Sequence, residues 1–253
     1  MIMVKRPLAA LALAAVASAP AALALPAQAS AAPAASASPA AAASAKPAAA
    51  RVDCAKVKCI ALTFDDGPGP YTARLLDTLK KHQAKATFFL VGKRVEKRPK
   101  LARRIAREGH EIGNHSYGHR SLPALPDPEL AEELSRTQEA IRRAIGKRPR
   151  LMRPPYGHTD ARVRAAAGRL GLAQVLWTGT TLDWSLRDTR RIGDTVLRLA
   201  RPNGVILMHD VVPQTVKAMP RVLRELRKRG YHLVTVSALA GPGRLTPGAS
   251  FPR

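Results

Sequence analysis

Ile60-Ala61-Leu62-Thr63-Phe64-Asp65-Asp66-Gly67-Pro68 is an apolar run that stops on two adjacent carboxylates and a Gly-Pro breaker. A run this short, apolar at nearly every position, suits a strand covered on both faces, as in parallel sheets. Working outward, comparable runs recur at residues 87–91, 111–113, 151–153, 173–177, 205–208 and 232–236, so seven strands are expected with the first at 60–64. Between them lie helical patterns at 71–82, 99–108, 128–145, 160–170, 189–200 and 216–229, several stopped by a glycine: Gly109, Gly146, Gly171 and Gly230. Strand and helix in alternation mark an α/β chain built from crossover connections. Seven strands in a row predict a distorted (β/α) barrel in one domain; an open doubly wound sheet is the alternative that strand number does not exclude.

The 253 residues do not read uniformly. Lys5 and Arg6 precede an uncharged Ala/Leu stretch from Pro7 to about Leu25, and Ala27-Gln28-Ala29 has the small-x-small pattern of a signal peptidase site. A signal peptide over residues 1–29 is therefore expected, with a retained membrane anchor as the alternative. Residues 30–50 are almost wholly Ala, Pro and Ser, which reads as a linker without enough bulky apolar surface to order itself. The folded domain is expected over 51–243, followed by a tail over 244–253. Cys54 and Cys59 are the only cysteines. An oxidising compartment makes a bridge between them the default, with free thiols or half a metal site as the alternative.

Lys and Arg number 42 against 18 Asp and Glu, a formal net charge of +24. An exported chain this basic would concentrate on anionic cell-wall polymers through salt-sensitive attraction. Solvated helix faces explain the same excess, because Arg is spread through nearly every expected helix. Aromatic residues make up only 4% and do not interleave with the basic ones, which argues against nucleic acid. No stable membrane insertion is expected after cleavage of the leader, and a monomer is expected.

Two adjacent carboxylates repel unless a cation, a shared proton or water offsets the repulsion, and a metal is the simplest resolution. His115-Ser116-Tyr117-Gly118-His119 supplies two imidazoles four residues apart. Asp66 with His115 and His119 would form a facial set with open positions for water and substrate, the arrangement of a hydrolase. A His-x-x-x-His pair alone is more often two surface histidines; joined to Asp65-Asp66 at a strand end, the metal reading prevails. Ser116 stands where a zincin has its catalytic Glu, so the base must come from elsewhere, and Asp65 is the candidate. The other reactive residues also fall just past strand ends: Arg153 after the fourth, Asp183 after the fifth, His209 after the sixth. In parallel β/α architectures that edge is where ligands bind. His82, His110, His158 and His232 read as solvated or capping residues.

Thr63-Phe64-Asp65-Asp66-Gly67, His115-Ser116-Tyr117-Gly118-His119, Arg153-Pro154-Pro155-Tyr156, Asp183-Trp184 and Leu207-Met208-His209-Asp210 occur in that order. With these five motifs the chain, over about residues 57–239, resembles the polysaccharide deacetylases with a NodB homology domain, carbohydrate esterase family four. The resemblance implies a deformed (β/α)7 barrel and a metal held by Asp66, His115 and His119, most often Zn2+, with Co2+, Mn2+ or Ni2+ in some members. It implies Asp65 as general base, Arg153 as its support and His209 as general acid charged by Asp183. It further implies that the backbone N–H of Tyr156 stabilises the oxyanion, and that Trp184 and Leu207 wall a pocket for the acetyl group. The implied substrate is an N-acetylated glucosamine polymer, peptidoglycan or chitin; an O-acetyl xylan esterase and a catalytically weak glycan-binding module are the alternatives. One departure stands out. The family commonly has an Asp three residues before Asp183, where this chain has Thr180, so an altered groove is expected more than lost chemistry.

Overall fold

β1 (Cys59–Asp65) is buried at every residue of a computed structural model that describes residues 52–252. The leader expected over 1–29 and the linker over 30–50 lie outside the described residues. Side chains of β1 alternate between two apolar clusters, as a strand's period of two requires. Ile60, Leu62 and Phe64 pack with Leu75, Leu79, Val222 and Leu226 from the helices outside the sheet. Cys59 and Ala61 pack with Phe89, Val205 and Val234 inside the curl. Thr63 and Asp65 continue this inner row to the carboxyl end of the strand.

The remaining strands are β2 (Thr87–Leu90), β3 (Glu111–Asn114), β4 (Leu151–Met152), β5 (Ala173–Val175), β6 (Gly179–Thr180), β7 (Gly204–His209), β8 (His232–Leu233) and β9 (Ser250–Phe251). They form one sheet in the order β6-β7-β1-β2-β3-β4-β5-β9, with β8 beside the start of β1. Every pairing is parallel. Between β5 and β6 the chain itself crosses the gap. The Leu176 N–H donates to the Phe251 carbonyl at 2.7 Å on one side, and the Thr178 N–H to the Val205 carbonyl at 2.8 Å on the other. Among the described residues no ladder joins β6 to β5 or β9, so the barrel is curled but not closed.

The helices are α1 (Thr72–Lys81), α2 (Gly92–Lys97), α3 (Pro99–Arg107), α4 (Asp127–Ile145), α5 (Ala161–Arg169), α6 (Asp183–Leu186), α7 (Thr189–Leu199), α8 (Pro213–Lys228) and α9 (Val236–Ala240). Asp160, Asp188 and Thr235 cap α5, α7 and α9 by accepting the N–H of Val163, Arg191 and Ala238. Among the described residues no helix is long and apolar enough to cross a membrane.

All seven expected strands are present; those read over 87–91 and 151–153 end one residue short, and two others end earlier still. The strand read over 173–177 stops at Val175 because the Val175 and Leu176 carbonyls turn to the Arg153 guanidinium, at 3.1 and 2.9 Å. The one read over 232–236 stops at Leu233 because Thr235 caps a helix there. Residues 244–253, read as a tail, instead place β9 against β5, with Phe251 and Leu245 in the inner cluster.

Cys54 and Cys59 are bonded, as expected, with a sequence separation of 5. So small a loop restrains the unfolded chain by about 2 kcal/mol. The double substitution Cys54→Ser, Cys59→Ser should lower unfolding free energy by about that amount, read from urea titration, with turnover of the folded protein unchanged because the bridge lies at the opposite end of β1 from Asp65.

Candidate active site

The ladder pairs Asp65 of β1 with His209 of β7, and Thr63 with Leu207 one step below. In-register neighbours on parallel strands face the same side, so Asp65 and His209 are side by side in the inner row. Asp65 is 3% exposed and Arg153 is fully buried. An Arg153 Nη donates to Asp65 Oδ1 and to Thr63 Oγ1, both at 2.8 Å. Its guanidinium also lies over the Phe89 ring, 4.2 Å from the centroid. With the Val175 and Leu176 carbonyls as further acceptors, this buried cation is paired and hydrogen-bonded, which such a charge requires.

On a continuing strand Asp66 would point to the opposite face. It has φ 72° instead, a left-handed conformation that costs free energy in a non-glycine residue. The turn brings its Oδ1 to 3.1 Å from His119 Nε2 and 3.6 Å from His115 Nε2. Arg94 fixes the turn by donating to the Asp66 carbonyl at 2.9 Å. Gly67 follows in close contact with the buried Asp210 carboxylate, where a Cβ would collide. Asp210 also accepts a hydrogen bond from Thr72, and burial pushes its pKa up to about 7.

The histidine loop leaves β3 at Asn114. Ser116 and His119 have φ 59° and 61°, and several buried groups hold this strained path. Asn114 accepts the Ser116 N–H at 2.9 Å, Ser116 Oγ accepts the His119 N–H at 3.0 Å, and Glu133 Oε2 of α4 accepts both the Tyr117 N–H (2.8 Å) and the Gly118 N–H (2.7 Å). His115 donates from Nδ1 to the Arg153 carbonyl at 2.7 Å, which leaves the Nε2 lone pair for a ligand. Burial holds the His115 pKa below its ordinary value, against the pull of Asp65 and Asp66.

Ligand atoms of Asp66, His115 and His119 lie within 4.8 Å of one another. Asp66 Oδ1 is buried and accepts no hydrogen bond among the described residues. Burial raises the Asp66 pKa, but His119, His115 and His209 outweigh that and keep it below the usual carboxylate range. One ionised carboxylate and two imidazoles, with an orphaned oxygen between them, fit a divalent cation.

Asp183 opens α6 and is buried. Its Oδ1 accepts His209 Nδ1–H at 2.8 Å, and its Oδ2 accepts the His209 backbone N–H at 2.8 Å and the Thr215 hydroxyl at 2.6 Å. Burial lowers the His209 pKa, but Asp183, with Asp65 and Asp66 behind it, raises it to about 9. Tyr156 follows the stiff Pro154-Pro155 pair with φ 62°. Its ring packs edge-on against His119 at 4.8 Å, and among the described residues no hydrogen bond takes its N–H. Trp184 stands at the rim, 57% exposed, whereas Leu207 is buried one step below His209. Glu133, Thr215 and Asn114 have no place in the sequence reading, and Thr63 no role in it. A signal for Glu133 exists: with Leu130, Leu134 and Thr137 it lies on the buried face of α4, where a carboxylate needs a partner.

The family model described as polysaccharide deacetylase matches residues 53–175. A peptidoglycan-N-acetylglucosamine deacetylase of Bacillus cereus is 42% identical over 184 residues, which cover 69% of this chain and 67% of that protein. The chain belongs to the polysaccharide deacetylase family. The peptidoglycan-N-acetylmuramic acid deacetylase PdaC of Bacillus subtilis is 40% identical over 183 residues, 72% of this chain, although the chain spans only 38% of that protein's length. A solved structure described as a T48 deacetylase with substrate has a TM-score of 0.76 at 42% identity, covering 79% of this chain and 99% of that one. The curled parallel sheet is thus the deformed (β/α)7 barrel of the polysaccharide deacetylases.

In this polysaccharide deacetylase the Glu133 carboxylate sets the loop that carries His115 and His119. Glu133→Ala should weaken Zn2+ binding by roughly tenfold or more, whereas Glu133→Gln, which keeps an accepting oxygen, should stay near the parent value in isothermal titration.

Proposed function

We propose that this polysaccharide deacetylase is a secreted, divalent-cation-dependent hydrolase that removes N-acetyl groups from glucosamine-containing glycans, peptidoglycan or chitooligosaccharides, and releases acetate. One observation carries the reading: Asp65, fixed by Arg153, adjoins the Asp66–His115–His119 cluster and is paired in register with a His209 charged by Asp183. Zn2+ suits two imidazoles and one carboxylate. The strongly basic composition supports attraction to anionic wall polymers.

A divalent cation held by Asp66, His115 and His119 supplies Lewis acidity, polarising an acyl oxygen and making water a better nucleophile near neutral pH. Arg153 occupies Asp65 Oδ1, and Oδ2, 3.8 Å from His115 Nε2, is the oxygen that takes a proton from the attacking water. Arg153 also fixes the orientation of that carboxylate without being able to accept its proton. Water oxygen bonds to the acetyl carbon, and the Tyr156 N–H donates to the oxyanion that forms. When the carbon–nitrogen bond breaks, the amine must leave protonated. His209, with Nδ1 tied to Asp183, gives its Nε2 proton to that nitrogen. Acetate and a free amino sugar result, and the proton on Asp65 restores His209 through solvent.

Two outcomes test these roles. Asp65→Asn should reduce acetate release from chitooligosaccharides by about a hundredfold or more, with Zn2+ binding retained because Asp66, His115 and His119 are untouched. An equally active Asp65→Asn protein would remove the base assignment. His209 serves as acid only while protonated, so with a pKa of about 9 it is charged at neutral pH, and kcat should fall as pH rises through that value. Asp183→Asn removes the main cause of the elevation, and the descending limb of the kcat–pH profile should move to lower pH by roughly one to three units.

A further inference from the structure

A groove that none of the catalytic residues lines lies beside Asp183 in the chain. That groove, of about 560 Å³, lies over the free edge of β6, between the segment leading into α6 and the flank of α7. Its floor includes Thr180, Thr181 and Leu182, the three residues that immediately precede Asp183 and so run directly into the support of His209. Arg191 and Arg198 of α7 also line it, with Ser185 of α6 and Thr195 of α7.

The charge balance of this groove is one-sided. The Arg191 side chain has no carboxylate partner among the described residues, and Arg198 donates only to the neutral Thr195 hydroxyl, at 3.0 Å. Asp194, the one acid in the lining, is engaged by Arg221 at 2.8 Å. Thr180 adds a hydroxyl, where a carboxylate would have supplied a counter-charge to the facing guanidiniums. Guanidinium groups with open donors, hydroxyls beside them and the apolar side chain of Leu182 form the set that receives a carboxylate attached to a sugar. A glycan strand extends on either side of the acetamide being cleaved, and three residues of this groove's lining lead in sequence straight to Asp183.

We infer that the groove between β6 and α7 is a subsite for a carboxylate-bearing sugar of the substrate strand, with Arg191 and Arg198 as its recognition residues. This rests on the glycan-hydrolase reading and narrows it to strands that carry acidic substituents. The carboxylate is either a lactyl ether group on the sugar or the end of a peptide attached to it.

The test uses the Arg191→Ala, Arg198→Ala double variant of the full chain, loaded with Zn2+; both side chains are exposed, so their removal leaves the core intact. Substrates are neutral chitooligosaccharides, peptidoglycan strands stripped of stem peptides, the same strands with their carboxylates amidated, and strands that keep the peptides. The variant should raise KM roughly three- to tenfold for one of the two carboxylate-bearing strands, with kcat and the chitooligosaccharide constants unchanged. Whichever strand responds assigns the lactyl or the peptide carboxylate. Amidation of the stripped strands should abolish any response they show. Equal KM changes for neutral and acidic glycans, or none for either, would overturn the subsite. Equilibrium binding of the same strands, measured without turnover, should weaken in parallel. If the parent protein releases no acetate from any glycan yet binds acidic strands through Arg191 and Arg198, the hydrolase reading fails and the subsite stands.

Discussion

The buried pair of Arg153 and Asp65 is the constraint on which the rest of the structure depends. Arg153 sits at the end of β4, yet its guanidinium reaches across the interior to the end of β1 and to the carbonyls beyond β5. It binds the two carbonyls at which the chain leaves β5 to cross the gap in the barrel, and its own carbonyl fixes the ring of His115. Removing one partner of such a pair leaves an uncompensated charge, at a cost of about 3–5 kcal/mol. Support of the barrel and orientation of the Asp65 carboxylate, the proposed base, therefore come from a single side chain.

The carboxyl edge of the sheet is also where backbone strain collects. Asp66, Ser116, His119, Tyr156 and Leu182 all have positive φ without being glycine. At Asp66 and His119 this brings side chains together that regular geometry would point apart. Outliers of this kind cost about 1–3 kcal/mol apiece and persist only when their surroundings hold them. The holding groups are in place: Arg94 on the Asp66 carbonyl, Asn114 and Glu133 on the histidine loop, and the two prolines ahead of Tyr156.

Much of this was legible in the sequence because its signals are local. The apolar run before Asp65 reads as a strand, and His115 and His119 gain meaning from the carboxylates they meet. β6 and β9 escape such reading because two residues carry no periodicity, and α2, α6 and α9 are too short for an amphipathic pattern to emerge. Glu133 and Thr215 act from α4 and α8 on partners far away in the chain, 16 residues for Glu133 to Tyr117 and 32 for Thr215 to Asp183. Nothing adjacent to them announces that pairing. The sequence reading gives the adjacent Asp65 and Asp66 separate roles, but not the φ of Asp66 that leaves one in the inner row and turns the other toward the histidines.

The register that pairs Asp65 with His209 has an evolutionary corollary. Asp65 and His209, the proposed base and acid, stand on neighbouring strands, so one inter-strand spacing of about 4.8 Å separates their backbones. Insertions or deletions in the surrounding loops leave that interval untouched, and only a slip of β7 against β1 would change it. Such a slip by one residue would also turn the outer apolar row of β7 inward. Loops around this cleft are thus free to diversify, while the interval between Asp65 and His209 is inherited unchanged.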